Sequence, residues 1–175
     1  MKPRFLLTML AFMAATAPAL AEDAEISPAT EAFIQQTAMN QAFEIRSGNL
    51  ALERSGRSDV RQFARKMVDE HRLIGGQFRS KLSFSGIDPS TAEVPLDGIY
   101  QAMIDSLETA PNSAFDRLYI AAQSDAHAHM IAIFRDYAQS GSHKGLANFA
   151  LTTLPQLEEH QAMVKSLNWD VSSSY

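Results

Sequence analysis

The sequence predicts an all-α protein, a four-helix bundle made of two helical hairpins joined by a long crossover that carries a short helix. Three observations point there. First, apolar residues recur at three- and four-residue steps over four long stretches, the spacing that lines one face of a helix. Second, glycine and proline punctuate the chain between those stretches, at Gly56, at Gly86 with Pro89, and at Gly141. Third, the chain echoes itself. Ser55-Gly56, then Phe63-Ala64, leads to Asp69-Glu70-His71; Ser140-Gly141, then Phe149-Ala150, leads to Glu158-Glu159-His160. Each copy reads as a helix end, a short turn, and a second helix with a histidine at mid-length.

Taken in order, the chain opens with a targeting pattern. Lys2 and Arg4 form a charged head, residues 5–17 an apolar run too short to span a bilayer, and Ala19-Leu20-Ala21 a small-x-small cleavage site. Residues 1–21 are expected to be a signal peptide, with the mature chain starting at Glu22. Residues 22–168 form the bundle and residues 169–175 a frayed, serine-rich tail. The expected location is the periplasm, with outer-membrane association open and no spanning segment in the mature chain.

Ser27-Pro28 starts the first helix, residues 28–54, with Ser27 as N-cap and Glu31 where the helix dipole favours an acid. Phe33, Thr37, Gln41, Glu44, Gly48 and Ala51 share one face. Gly48 costs helix stability, so it either permits close helix approach or leaves room beside the Glu44 carboxylate. Ser58 is read as the cap of the second helix, residues 59–84. Its core stripe is Val60, Phe63, Met67, Ile74 and Phe78 with His71 among them; Asp69, Glu70 and Arg72 fall on the solvated side. The crossover, residues 85–112, is rich in Pro, Asp, Ser and Thr and holds a short helix over residues 95–110, carrying Ile99, Met103 and Leu107. The third long helix runs from Asn112 to near Gly141. Phe115, Tyr119, Ala122, Ala126, Met130, Ile133 and Tyr137 form its apolar face, and Asp116, Gln123 and His127 lie along the shoulder. The fourth spans residues 144–167, with Leu146, Phe149, Ala150, Leu154, Leu157, Val164 and Leu167 inward, His160 among them, and a kink expected at Pro155.

Composition removes several classes of function. Hydrophobic residues make up 46% of the 175, enough for a sizeable core in one domain. There is no cysteine, so disulfides, thiolate chemistry and cysteine-ligated zinc or iron–sulfur centres are out. The net charge is −5 with no basic run, which argues against nucleic acid as a partner. No nucleophile elbow, Ser-His-Asp order or glycine-rich phosphate loop is present. Five methionines, Met39, Met67, Met103, Met130 and Met163, sit at core-like spacing and read as packing rather than as copper ligands.

Three runs carry a resemblance. Phe63-Ala64-x-x-Met67-Val68-x-x-His71, Phe115-Asp116-x-x-Tyr119-x-x-x-Gln123-x-x-x-His127, and Phe149-Ala150-x-x-x-Leu154-Pro155-x-Leu157-x-x-His160 together resemble the bacterial domain of unknown function 4142. That family is placed in the ferritin-like superfamily. The resemblance spans residues 33–167 and implies an exported ferritin-like bundle, often labelled an outer-membrane protein, with no established activity.

Glu44, His71, His127 and His160 each fall near the middle of a different helix, on or beside its buried face. Glu44 lies twelve residues before Gly56 and His71 fifteen after it, a difference in level of roughly 5 Å at the helical rise. Four such groups converging make an N₃O set suited to one divalent transition metal, Zn, Fe, Mn or Cu. The pattern departs from ferritin di-iron sites, which use Glu-x-x-His on two helices: Val68 and Leu157 stand three residues before His71 and His160. A polar core held only by hydrogen bonds, in a structural or partner-binding envelope protein, is the competing reading; an oxidoreductase using a bound metal is a third, and a metal-free histidine pH switch another. Met39, Phe43 and Leu50 form a second apolar stripe on the first helix. Either the crossover covers it or it is a surface for self-association or an envelope partner.

Overall fold

The computed structural model describes residues 26–96 and 98–167; the leader 1–21 and the tail 169–175 lie outside the described residues. Among those described there are helices and no strands: α1 (Pro28–Arg54), α2 (Ser58–Phe84), a 3₁₀ turn (Pro89–Ala92), α3 (Gly98–Thr109), α4 (Asn112–Ser140) and α5 (Lys144–Ser166). The long helices α1 and α2 pack along one another, as do α4 and α5; α1 also meets α4, and α2 meets α5. The shorter α3 lies over α1 and α4, and the 3₁₀ turn over α1 and α2.

The local chemistry of the helix ends follows the sequence in most places. Ser27 caps α1, its Oγ accepting from the Thr30 N–H at 3.2 Å. The α2 start differs. Ser58 is the first helical residue and Arg57 the N-cap, with no side chain capping from there. Instead Ser55 Oγ accepts from the Arg57 N–H at 3.1 Å and Asp59 Oδ1 from the Val60 N–H at 2.9 Å. Gly86, at φ 73°, ends α2. The Ile87 N–H reaches back to the Leu82 carbonyl and the Gly86 N–H to that of Ser83, at 3.0 and 3.1 Å. Leu82 and Ile87 are both buried in one cluster, the hydrophobic contact that accompanies this kind of stop. Pro155, where a kink is expected, lies inside α5, which continues through it. Pro155 and Leu151, whose carbonyl it leaves without a helical donor, are both exposed.

Two apolar clusters occupy the ends of the long helices. One gathers Phe33, Ile74, Phe78, Leu82, Met130, Phe134, Leu146 and Phe149; the other Ala51, Val60, Phe63, Met67, Phe115, Tyr119 and Val164. On α4 the buried residue is Phe134 rather than the expected Ile133, which only packs against the cluster. Gly48 answers its sequence question: a Cβ there would lie 2.6 Å from Val68 Cγ2 and 3.2 Å from the Ala64 carbonyl oxygen, so α1 and α2 need it for close approach.

The crossover is shorter-helixed and differently faced than expected. α3 buries Tyr100, Ile104 and Leu107, whereas Ile99 is 61% exposed. Tyr100 and Ile104 join Met39 and Phe43 in a third cluster, with Leu50 and Met103 packed at its edge. Met39 and Phe43 are 6% and 0% exposed. Of the two readings of the second stripe of α1, the covering crossover holds: Met39 and Phe43 are buried within the chain and Leu50 is half-buried at the cluster's edge. Arg54 pins the far end of this strap, donating to the carbonyls of Leu107, Glu108 and Ala110 and to Asn112 Oδ1.

Candidate metal centre

Between the two apolar ends the bundle turns polar. His71 on α2, His127 on α4 and His160 on α5 are 0%, 1% and 0% exposed. Their ring centroids stand 5.5 Å (His71–His127), 5.2 Å (His71–His160) and 5.4 Å (His127–His160) apart, nearly an equilateral triangle. One nitrogen from each ring lies within 4.8 Å of the other two. His127 lies fourteen residues before Gly141 and His160 nineteen after it, an offset that does not keep the two rings apart.

Each ring is tied by one nitrogen and left bare at the other. His71 Nδ1 meets Gln41 Oε1 at 2.9 Å, His127 Nδ1 the Gln123 backbone carbonyl at 2.9 Å, and His160 Nε2 the Glu70 carboxylate at 2.6 Å. All three partners are acceptor oxygens, so each tied nitrogen carries the proton. The remaining nitrogens, His71 Nε2, His127 Nε2 and His160 Nδ1, then hold lone pairs, and none has a hydrogen-bond partner. Buried polar atoms are seldom left so, and three at once in one cluster is a specific departure.

The electrostatics favour the neutral form of His71 and His160. Burial pulls the His71 pKa well below its usual value, and His127 and His160 nearby push the same way. Burial also lowers His160, against the opposing pull of Glu70. For Glu70 burial acts upward, but hydrogen bonds from Lys66, His160 and Gln156 outweigh it and hold the pKa at about 2. Neutral imidazoles, each oriented by an outer acceptor, are the form in which histidine ligates metal. The residues present therefore fit a metal ion.

Glu44 sits to one side. It is fully buried, both carboxylate oxygens lack hydrogen-bond partners, and Oε1 is 3.5 Å from His127 Nδ1. It lies beside the nitrogen that His127 ties to Gln123, and it does not join the three-histidine group. Burial raises its pKa, partly offset by His127, Gln123 and Asn40. The Gln123 amide donates to Ser47 Oγ at 3.0 Å, linking α4 back to α1 next to Glu44.

Sequence reasoning placed Glu70 in a solvated shell. Its backbone does sit off the buried face, but its side chain, 24% exposed, reaches across to α5 and takes His160 and Gln156 on one oxygen. Gln41 was visible only as a face residue. The available signal was chemical: an inward histidine needs an acceptor for its N–H, and Glu70 beside His71 offers the nearest charged one.

No curated protein matches the chain. Among solved structures, the crystal structure of a DUF305 fragment from Deinococcus radiodurans is similar in fold, with a TM-score of 0.68 at 17% identity, covering 81% of this chain and 96% of that one. The model of the domain of unknown function DUF4142 matches residues 15–167, nearly the full length over which the three histidine-bearing helices and their partners are spread, and the chain belongs to that family.

Proposed function

We propose that the protein is an exported, ferritin-like four-helix bundle that holds one divalent transition metal ion on His71, His127 and His160. The observation that carries this is the set of three unpartnered ring nitrogens, one per histidine, in one buried cluster. An ion bonded at about 2.0–2.1 Å to each nitrogen satisfies all three. Three imidazole ligands suit Zn, Cu or Fe better than Mn, which prefers oxygen. Glu44, beside His127 but outside the three-histidine group, can ionise to offset the charge of a buried cation. Gln41, Gln123 and Glu70 orient the rings. The hydrogen-bonded-core alternative leaves the three lone pairs unexplained.

Untagged protein purified from the cell envelope should carry close to one metal ion per chain by elemental mass spectrometry. The double variant His71→Ala, His160→Ala should lose it while circular dichroism keeps most of the helical signal. Stoichiometric metal in the double variant would overturn the assignment. Export rests on the leader pattern of residues 1–21. Intact-mass measurement should place the mature N-terminus at Glu22, and a retained leader would defeat that part of the reading.

A further inference from the structure

A cavity of about 230 Å³ opens on the seam between α1 and α2, roofed by the crossover. Its inner wall is buried: Ala38 and Gln41 from α1, Gly75 and Phe78 from α2. Arg79 and Glu93 stand exposed at its mouth. Gly75 makes the room. Glycine inside a helix costs stability, and here no close approach of helices requires it. A Cβ on Gly75 would lie 3.7 Å from Arg79 Nη1, 3.8 Å from Gln41 Cγ and 3.9 Å from Gln41 Cβ, all ordinary contacts. The guanidinium and the Gln41 side chain thus flank one empty point. Gln41 is 6% exposed and only half satisfied: Oε1 takes the His71 N–H at 2.9 Å, while Nε2 has no hydrogen-bond partner. Buried amide donors are seldom left so. Arg79 takes part in no hydrogen bond or ion pair among the described residues. Both groups lack the same thing, an acceptor oxygen.

We propose that this cavity binds a small organic monocarboxylate, with its oxygens on the Gln41 amide and the Arg79 guanidinium and its short apolar body against Ala38 and Phe78. A carboxylate is the acceptor that a planar guanidinium and an amide N–H hold best together, through charge-assisted bonds. The apolar lining suits a short hydrocarbon chain, the common make-up of a small-molecule pocket. Glu93 narrows the class. An acid at the mouth opposes a second negative charge, so a dicarboxylate or a phosphate is disfavoured. Gln41 gives Oε1 to His71 and Nε2 to the ligand, so the two uses of its amide do not compete. The site is complete without a metal ion.

The test is an NMR titration of the complete, metal-free, isotope-labelled protein with isovalerate. The Gln41 side-chain amide and the Arg79 Nε–H should shift together and saturate. Acetate, which lacks the apolar body, should bind about tenfold more weakly. Isovaleramide, the same shape without the charge, should bind about fivefold more weakly, given how exposed the guanidinium is. Gly75→Ala places a methyl at the empty point without a clash. It should weaken isovalerate by about tenfold while raising the melting temperature, since alanine is the better helix former. Lost binding in that variant is then not lost folding. Arg79→Met should weaken it about fivefold, and Arg72→Met, an exposed cation of the same helix outside the cavity, should leave it unchanged. A Gln41 amide that never saturates, which is what a bound water alone would give, would overturn the site. So would wild-type affinity in both Gly75→Ala and Arg79→Met, and equal affinity for isovaleramide would overturn the carboxylate class. Each of these results leaves the histidine centre standing, because no metal is present in the titration.

Discussion

At the end of the bundle where α1 begins, Phe33 stacks on Tyr137 with ring centroids 4.0 Å apart and lies 5.2 Å from Phe134, which in turn is 6.0 Å from Phe149. Thr30 Oγ1 and Tyr137 Oη of this end pair at 2.8 Å, whereas at the other end Tyr119 Oη has no partner. Midway along the same helices the pattern reverses. The histidine rings are as buried as the phenylalanines, yet each keeps a bare nitrogen, and Glu44 keeps two bare oxygens. The ends gain stability from area removed from water and from ring packing. The middle gives some of it up, because buried polar atoms without partners cost free energy.

The contrast is sharpest in the apolar end. Phe134→Ala should destabilise by about 3–5 kcal/mol, the range for emptying a buried aromatic site, roughly 10–15 °C in Tm for a chain of this size. Metal content per folded molecule should be unchanged. A loss of metal at a temperature where the variant is folded would show that the two regions are not independent.

Acid should act on the middle layer instead. In the metal-free protein the folded-state pKa values of His71 and His160 lie below the usual 6.5. As pH falls below 6.5 the unfolded chain takes up protons that the folded one refuses, and stability is lost. Glu44 works in the opposite direction. Its folded pKa is raised, so the unfolded chain ionises first above 4.5 and stability falls as pH climbs toward the folded value. Two histidines against one carboxyl leave the histidines in the majority, so stability falls as pH drops from 6.5 toward 4.5. Glu70, held at about 2, contributes its stabilisation fully above 4.5. Calorimetry of metal-free protein should show Tm falling from pH 6.5 to 4.5, more steeply in Glu44→Gln. A Tm flat across that window would mean that the histidines are protonated in the folded state.

The smallest effect is the most diagnostic. Replacing His71 and Gln41 together by Leu and Met removes a bonded polar pair and a bare nitrogen and leaves apolar groups of similar size. Such exchanges are commonly neutral or mildly stabilising, within about 1 kcal/mol, and metal binding should be lost. A large destabilisation in chemical denaturation would make the middle layer a structural element and erase the distinction from the ends.

Much of the architecture could be read from periodicity. The bounds of α1 and α4, the stripe of α2 with His71 inside it, and the three inward histidines all follow from the helical repeat. It failed where neighbouring faces are equally apolar. On α3, Ile99, Tyr100, Met103 and Ile104 offer two overlapping stripes, and only the underlying Met39 and Phe43 select Tyr100 and Ile104. Ile133 and Phe134 on α4 pose the same choice, decided by the aromatic cluster around Phe33 and Phe149.

By itself the sequence determined that the chain is helical, that Glu44, His71, His127 and His160 sit at mid-length, and that cysteine chemistry plays no part. These are properties of spacing and composition, carried by each segment alone. The tertiary structure decided that the three histidines meet, that Glu44 stands beside His127, and that Glu70 reaches across to His160 from a position read as solvent-facing. It also decided that the second stripe of α1 is covered from within. The physical reason is that a helical repeat specifies which way a residue points from its own axis. What it meets depends on how the axes are set against each other. That setting comes from packing across helices, such as the Gly48 approach to Val68 and the Arg54 clasp on the crossover.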